Sequence, residues 1–354
     1  MTPEFSIEGR LVGGGHRPYV IAEVSGNHNG DIGRALRLIE VAKEAGADAV
    51  KLQTYTADSL TIDTDREEFI LQGGTWDGWN VYQLYEHAHT PWEWFPELFE
   101  RARNVGITAF STPFDIAAVA FLENLGVPAF KVASNELTDW PLVEAVARTG
   151  KPMVMSTGAA TRQDVSDTVD FVRGLGVTDL AILHCVSAYP ASPEEANIRT
   201  MKDIQESFRV VPGFSDHTLG TAASVAAVAL GACIIEKHVT LSRDDGGIDS
   251  SFSLEPNELE LLCREVRWAW QGLGGVVYGG DTDLETKGIF TRQFWTITEI
   301  GRGDLLHTGN IRSIRAPVNA GGVATRHYRE VIGSRAGVSL QKHCPLKWEE
   351  IERS

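Results

Sequence analysis

The sequence is poor in cysteine and contains no long apolar run. Its four cysteines, Cys185, Cys233, Cys263 and Cys344, are widely spaced and form no CxxC pair. This argues against a zinc cluster and a disulfide framework, and favours a reducing cytoplasm. The N-terminal stretch MTPEFSIEGR lacks a basic region followed by an apolar core, and no apolar run approaches about 18 residues. We therefore expect neither a secretion signal nor a membrane span.

Positive charge is also scarce. Lysine and arginine total 32 against 48 aspartates and glutamates, which gives a formal net charge of -16 and an isoelectric point near 5.1. Non-specific nucleic-acid binding needs a cationic surface, so this class of function is disfavoured. A small anionic substrate remains compatible, since a few local lysines can outweigh a distant acidic surface. The 43% apolar and 23% charged residues are typical of a globular protein.

Short apolar, β-branched runs recur along the first three quarters of the chain. Helical patterns separate most of them, and the clearest is DIGRALRLIEVAKEAG, where Asp31 can cap the start and Gly46 the end. Eight alternations of strand and helix predict a (β/α)8 TIM barrel in residues 1–283. An open doubly wound sheet is the alternative, but no GxGxxG follows the first run. The eight runs cover residues 19–24, 48–54, 107–112, 129–134, 152–157, 180–185, 210–215 and 233–238.

Two segments depart from the barrel pattern. Residues 55–106, between the second and third strands, contain about twice the material that a crossover needs, with Trp76, Trp79, Tyr82 and Tyr85 among them. They predict either an extra helix with a surface loop or a substrate-specific lid. Residues 284–354 follow a glycine-rich stretch and contain short strand-like pieces and glycine turns, which indicates a small β-rich domain.

All eight strands are followed by polar residues. The carboxyl ends of barrel strands face the active site, so these residues are candidates for chemistry, although a lone serine is more often a helix cap. The candidates, in chain order, are Glu23, Lys51 with Gln53, Thr112, Lys131 with Ser134 and Glu136, Ser156, Ser187 with Tyr189, Ser215 with Asp216 and His217, and Glu236 with His238.

Among these candidates, two lysines and two histidines carry the most information. Lys51 and Lys131 lie within strands of core residues and must find an anion or a carboxylate; a Schiff-base lysine is the competing use. His217 and His238 end adjacent strands and could share a metal. From spacing alone, two buried histidines bonded to backbone carbonyls are the safer interpretation.

Nine ordered motifs closely resemble the blocks of the sialic acid synthase family. They are IAEVSGNHNG, GADAVKLQTYT, FSTPFD, KVASNELTDWPL, STGAA, LHCVSAYP, GFSDHTLG, IIEKHVTL and DSSFSLEP. The segments GRGDLLHTGNIRSIRAP and YREVIGSRAGVSLQKHCPL look like the family's C-terminal antifreeze-like (SAF) domain, so the resemblance covers residues 17–354. AEVSGNHNG, the long 55–106 segment and DSSFSLEP are most similar to the pseudaminic acid synthase branch.

The resemblance implies a transferase that condenses phosphoenolpyruvate with the open-chain aldehyde of an acetamido sugar, releasing phosphate and a nine-carbon 2-keto acid. In the pseudaminic branch the acceptor is 2,4-diacetamido-2,4,6-trideoxy-L-altrose. His217 and His238 would hold Mn²⁺ or Mg²⁺, and Glu23, Lys51, Lys131 and Glu136 would carry the catalysis. The implied ligands of phosphoenolpyruvate are Lys51, Thr112, Lys131, Ser134, Ser156, Ser187 and Ser215, and those of the sugar are Glu23, Glu136, Tyr189 and Asp249.

Arg315 in SIRAP matches the SAF-domain arginine that in relatives contacts an acetamido group in a neighbouring subunit. The resemblance therefore implies a domain-swapped homodimer. Two positions depart from the sialic acid synthases. Ser187 stands where they have asparagine, in agreement with the pseudaminic branch, and RAPVNAGG replaces the usual Arg-Pro-Gly segment, which puts the position of Arg315 in doubt.

Other functions also accommodate these residues. An N-acetylneuraminate or legionaminic acid synthase would use the same blocks with another sugar. A metal-dependent barrel aldolase or hydrolase would need the two histidines but neither phosphoenolpyruvate nor paired lysines. A non-catalytic sugar-binding or partner-binding protein would depend mainly on the SAF domain.

Overall fold

The computed structural model describes residues 3–278 and 290–352. The chain divides into two compact units, Met1–Gly274 and Gly275–Ser354. The boundary predicted from the sequence, between residues 283 and 284, lies outside the described residues. Within the described part, no helix has both the length and the apolar character needed to cross a bilayer.

The first unit is a closed barrel of eight parallel strands, which confirms the predicted fold class. Neighbouring strands follow chain order, and the eighth pairs with the first, so that His238 lies opposite Glu23. The barrel strands are β3 (Tyr19–Glu23), β4 (Ala49–Thr54), β5 (Thr108–Pro113), β6 (Phe130–Val132), β7 (Met153–Ser156), β8 (Leu180–Cys185), β9 (Val211–Asp216) and β10 (Ile234–His238).

Amphipathic helices surround the barrel. In α1 (Ile32–Ala45), the Asp31 side chain accepts from the Arg34 N–H and Gly46 ends the helix in the left-handed conformation, as its sequence predicts. The other helices of this unit are α2 (Ala57–Leu60), α3 (Val81–Ala88), α4 (Phe95–Val105), α5 (Ile116–Asn124), α6 (Trp140–Arg148), α7 (Arg162–Gly174), α8 (Thr200–Phe208), α9 (Ala222–Ala229) and α10 (Pro256–Leu273).

An N-terminal hairpin, β1 (Glu4–Ile7) and β2 (Arg10–Gly13), closes one end of the barrel. Phe5, Ile7 and Val12 are buried in the same apolar cluster as Tyr19 and Ile234, which begin barrel strands. This end is therefore filled with side chains, and the chemistry must lie at the opposite, carboxyl end of the strands.

The second unit is β-rich, as its sequence predicts. β11 (Phe290–Thr296) pairs antiparallel with β12 (Ile311–Pro317), and β13 (Arg335–Ala336) pairs with β14 (Ile351–Glu352). The short helix α11 (Tyr328–Val331) lies between the two pairs in sequence. A compact apolar cluster that includes Phe294, Leu306 and Leu346 gives the unit a core of its own.

Candidate active site

A cavity of about 480 Å³ opens at the carboxyl end of the barrel strands. Most of the side chains singled out in the sequence line it. These are Glu23, Lys51, Lys131, Ser134, Glu136, Ser156, Ser187, Tyr189, Ser215, His217, His238 and Asp249. The cavity therefore gathers residues from seven strand ends and the loops that follow them.

Three of the candidate residues, Thr112, Asp216 and Arg315, are not part of the cavity lining. Thr112, on β5, is fully buried behind the cavity and accepts a hydrogen bond from the Lys51 ammonium at 3.2 Å. Arg315 belongs to the second unit, on β12, where it pairs with Arg292 across the hairpin. Thr112 thus contributes to the cavity through Lys51.

The base of the cavity is a buried cluster of four charges, Glu23, Lys51, Lys131 and Glu236, hereafter the floor. Lys51 Nζ lies 2.8 Å from Glu23 Oε2 and 3.5 Å from Glu236 Oε1. Burial would lower the pKa of Lys51, but the two carboxylates raise it above its usual value. Lys51 is therefore a cation already paired within the protein.

Lys131 is the less satisfied cation of the floor. It is 2% exposed, and its Nζ donates to the Val132 carbonyl at 2.9 Å. Burial lowers the pKa of Lys131 although Glu236 opposes this effect. An ammonium has three donors, so an anion entering the cavity would find donors here, and its negative charge would stabilise the charged form.

Hydroxyl groups line the same cavity as Lys131. The buried Ser156 Oγ has no hydrogen-bond partner, and Ser134 Oγ accepts from the Gly158 N–H at 3.0 Å. A Cβ at position 158 would overlap the Ser187 hydroxyl, so glycine in the STGAA motif lets the backbone approach the serines closely. One cation and several hydroxyls facing a cavity suit a phosphate or carboxylate group.

His217 and His238 form an imidazole pair at the cavity edge, with ring centroids 5.3 Å apart. His217 Nδ1 bonds to the Val186 carbonyl at 3.0 Å, whereas the buried Nδ1 of His238 has no hydrogen-bond partner and lies 3.7 Å from Asp249 Oδ2. Burial, and then His217, hold the pKa of His238 well below its usual value, which favours the neutral form that binds metals.

The imidazole pair fits a divalent cation as part of a ligand set. Two observations on His238 support this fit: its buried Nδ1 has no hydrogen-bond partner, and burial lowers its pKa. The pKa of His217, in contrast, is raised, because its contact with Cys185 outweighs the effect of burial. Among residues 3–278 and 290–352, no group of three or more histidine, cysteine, aspartate or glutamate side chains is arranged to hold a metal ion. Water or substrate oxygens would complete such a set.

The segment IIEKHVTL places its charges on alternate sides of β10. Glu236 and His238 face the cavity, whereas Lys237 points away and lies 3.0 Å from Asp216 Oδ2. Asp216 also accepts from the Thr218 N–H at 2.8 Å and from Ser224 Oγ at 2.6 Å. This pair ties β10 to the end of β9, and thereby fixes the backbone on either side of both histidines.

Two further carboxyl groups have pKa values near neutrality. Burial raises the pKa of Glu136 to about 7, and one of its carboxyl oxygens has no partner. Burial also raises the pKa of Asp249 to about 6, although Ser25 donates a hydrogen bond to it. At pH 7 Glu136 is poised to give or take a proton.

The side of the cavity is apolar, and the sequence did not single out most of its residues. Seven residues of the long segment between β4 and β5 line the cavity. Two of them are Tyr55 and Ala88, and the other five, hereafter the wall, are Leu71, Trp76, Val81, Leu84 and Tyr85. Tyr55 packs against Tyr85 and Phe114, with ring centroids 5.8 and 5.3 Å apart, and extends this surface. The high density of aromatic residues in this segment was the sequence feature that could have identified them.

Two hydrogen bonds hold the wall across the cavity mouth. Thr75 Oγ1 donates to the Tyr189 carbonyl, and Trp76 Nε1 donates to the Ile248 carbonyl at 2.9 Å. The Tyr189 ring lies between Trp76 and His217, with centroids 5.3 and 4.3 Å away. The wall is thus connected to the imidazole pair through the Tyr189 ring, and the Phe252 ring makes a second connection, with centroids 6.3 Å from Trp76 and 5.1 Å from His238.

Comparison with known proteins places these observations in a family context. Residues 38–278 match the model of the NeuB family. Pseudaminic acid synthase from Helicobacter pylori is 38% identical over 338 residues, covering 95% of this chain and 98% of the relative. Its counterpart from Campylobacter jejuni serotype O:23/36 is 39% identical over 93% of this chain and 95% of the relative. The N,N'-diacetyllegionaminic acid synthase of C. jejuni serotype O:2 is 33% identical over 90% and 95%.

Solved structures agree with these matches. The chain resembles an N-acetylneuraminic acid synthetase from Leptospira borgpetersenii, with a TM-score of 0.72 and 31% identity over 79% of this chain and 94% of that one. A spore coat polysaccharide biosynthesis protein from Bacillus subtilis gives a TM-score of 0.68 and 31% identity over 99% and 100% of the two chains.

Proposed function

The chain belongs to the NeuB family, and on this premise we propose that it is a pseudaminic acid synthase. It would condense phosphoenolpyruvate with 2,4-diacetamido-2,4,6-trideoxy-L-altrose. The observation that carries this proposal is the identity of 38% and 39% to two pseudaminic acid synthases over at least 93% of the chain. The legionaminic acid synthase of C. jejuni, at 33%, is less similar.

The chemistry needs an anion site beside an electrophile site. C3 of phosphoenolpyruvate bonds to the aldehyde carbon, water adds at C2, and inorganic phosphate leaves with the former enol oxygen. Lys131, Ser134 and Ser156 would bind the phosphate and carboxylate groups, because their donors face the cavity unsatisfied or nearly so. Lys51, held between Glu23 and Glu236, would fix the charge pattern beneath them.

Glu136 is the carboxyl group best suited to move a proton. Its pKa of about 7 lets it exist in both forms at neutral pH. It would protonate the aldehyde oxygen as the carbon–carbon bond forms, or take the proton of the water that attacks C2. His217 and His238 would hold a divalent metal, which when bound supplies a Lewis acid for the aldehyde oxygen.

The second unit would complete the site from another subunit. We assign it as an SAF domain on its motifs, and Arg315 as a donor to an acetamido group of the acceptor in a domain-swapped homodimer. The Arg315 guanidinium lies on the strand β12, a rigid element suited to presenting a side chain. All four cysteines are free of disulfides, which supports a cytoplasmic location.

A sugar panel tests the proposal. Phosphate release would be followed with phosphoenolpyruvate, Mn²⁺ or Mg²⁺, and N-acetylmannosamine or the 2,4-diacetamido-trideoxy forms of mannose and altrose. We expect the altrose derivative to give the highest kcat/KM. Preference for one of the other two sugars would indicate an N-acetylneuraminate or legionaminic acid synthase. Failure of every sugar to release phosphate would reject the synthase, and sugar cleavage without phosphoenolpyruvate would favour the barrel aldolase.

A further inference from the structure

We infer that the wall is the specificity surface for the methyl-bearing end of the acceptor, and that it selects deoxy sugars over sugars hydroxylated at C6. This inference rests on the proposed function and adds to it the residues that choose the substrate class. It begins from an asymmetry in the cavity, whose floor is entirely charged while the inward face of the wall is aliphatic and aromatic.

The wall offers few partners to a hydroxyl group. Leu71, Val81 and Leu84 have no side-chain donors or acceptors, and the indole N–H of Trp76 is already bonded to the Ile248 carbonyl. The hydroxyl of Tyr85 is the one further polar group among the five wall side chains. A hydroxyl pressed against these side chains would lose its water without replacement, whereas a methyl group would gain contact. Such a surface therefore discriminates between CH₃ and CH₂OH.

The wall lies where the end of the acceptor farthest from its aldehyde would be. If the aldehyde carbon lies at the imidazole pair, the rest of the open chain must extend away from the floor, which phosphoenolpyruvate would occupy. The Tyr189 ring leads from His217 to Trp76, so this direction ends at the wall. C6, the carbon most remote from the aldehyde, would then contact the wall.

The wall is held rigidly enough to act as a template. Its mouth end is anchored to the Tyr189 and Ile248 carbonyls. Its helical part, α3, begins with the Asn80 side chain accepting from the Tyr82 and Gln83 N–H groups. A preformed apolar surface can reject an added hydroxyl by roughly 10- to 100-fold.

Binding of unreactive acceptors tests this inference separately from catalysis. The probes are the alditol of the proposed acceptor, which has no aldehyde, and its counterpart with a hydroxyl at C6. Dissociation constants would be measured by calorimetry for the wild type and for Val81→Thr and Leu71→Asn, which keep the branching of the side chain but add polar atoms. Gln83→Thr, on the solvent-exposed side of the same helix, is the matched control.

We expect the wild type and Gln83→Thr to bind the deoxy alditol at least about 10-fold more tightly than its counterpart with a hydroxyl at C6. Val81→Thr and Leu71→Asn should each reduce this ratio several-fold. Equal affinity of the wild type for both alditols, undetectable binding of both, or a ratio that survives both substitutions overturns the inference. Because no turnover is required, an absence of phosphate release would reject the proposed function alone.

Discussion

The floor and the wall face the same cavity but consist of side chains of opposite chemical character. The floor consists of charged side chains carried by the ends of the barrel strands, each almost fully buried. The wall consists of apolar side chains from the segment between β4 and β5, most of them partly exposed. The floor is a property of the barrel itself, whereas the wall is an addition to one connection.

This contrast separates what the reaction needs from what the substrate needs. Buried charges interact strongly because water does not screen them, so a floor of this kind can stabilise a charged transition state. An apolar wall gives modest discrimination that can change without disturbing the floor. We expect variants of the floor to lose rate and variants of the wall to lose selectivity.

Replacement of either lysine of the floor should have the largest effect on activity. The two variants should differ in their effect on stability. Lys131→Met and Lys51→Met should each reduce kcat/KM for phosphoenolpyruvate by about 1000-fold, because each removes a cation facing the transition state. Of the two lysines, Lys51 is the one that forms ion pairs with both Glu23 and Glu236, so Lys51→Met should also lower the free energy of unfolding by about 3 kcal/mol.

Phosphate-release kinetics and urea unfolding of both variants check this prediction. Lys131→Met should be the more stable of the two, since burial already disfavours its charge. Equal loss of stability in the two variants would show that the lysines do not differ in their pairing. Activity retained by either variant would remove it from the catalytic floor.

Glu136 lies between the floor and the wall. Because its side chain is buried, its contribution to the free energy of unfolding should depend on pH. Its pKa rises from 4.5 to about 7 on folding, so the folded protein binds more protons than the unfolded chain between these values. The contribution of Glu136 to stability therefore falls as pH rises through this window. Relative to wild type, Glu136→Gln should become more stable with rising pH, by up to about 3 kcal/mol.

Unfolding of Glu136→Gln and wild type in urea at pH 5 and pH 8 measures this difference. Glu349→Gln, at an exposed position of the second unit, is the control and should show no such trend. A stability difference between Glu136→Gln and wild type that is independent of pH would mean that the carboxyl group is solvated.

Arg315 should affect the acceptor and not phosphoenolpyruvate. Arg315→Ala should raise KM for the sugar by roughly 10- to 50-fold, the loss of a charge-assisted hydrogen bond, with KM for phosphoenolpyruvate unchanged. Mixing subunits tests whether Arg315 acts across the proposed dimer. A heterodimer of Arg315→Ala and Lys131→Met would contain one complete site, so a randomised mixture should recover about a quarter of wild-type activity. No recovery would place Arg315 in its own subunit's site or outside any site.

The barrel and the floor could be predicted from the sequence because each rests on a short-range pattern. Eight apolar runs define the strands, and the polar residue that ends each run must face the cavity once the barrel closes. Lys51 and Lys131 were recognisable because a charge inside a core strand requires a partner. Glu236, in contrast, receives no role from the resemblance, and only its place beside Lys51 and Ser215 shows that it belongs to the floor.

The wall and the N-terminal hairpin could not be predicted in the same way. Both depend on long-range contacts that no local periodicity encodes. Trp76 contacts Ile248, and Phe5 packs against the amino-terminal ends of the barrel strands. The hairpin strands are only four residues long, too short for a clear alternation. For the wall, aromatic density indicated packing but not the surface against which it would occur.

Trp76 provides the smallest and most selective test of the contrast. Trp76→Phe keeps an aromatic ring at the cavity mouth but removes the hydrogen bond to the Ile248 carbonyl, which is worth about 1 kcal/mol. We expect KM for the acceptor to rise about fivefold, while kcat and KM for phosphoenolpyruvate stay unchanged. Trp79→Phe, in the same segment but outside the cavity lining, is the matched control. In the proposed binding mode phosphoenolpyruvate lies over the floor. An equal rise of KM for both substrates would therefore show that the wall and the floor do not act independently.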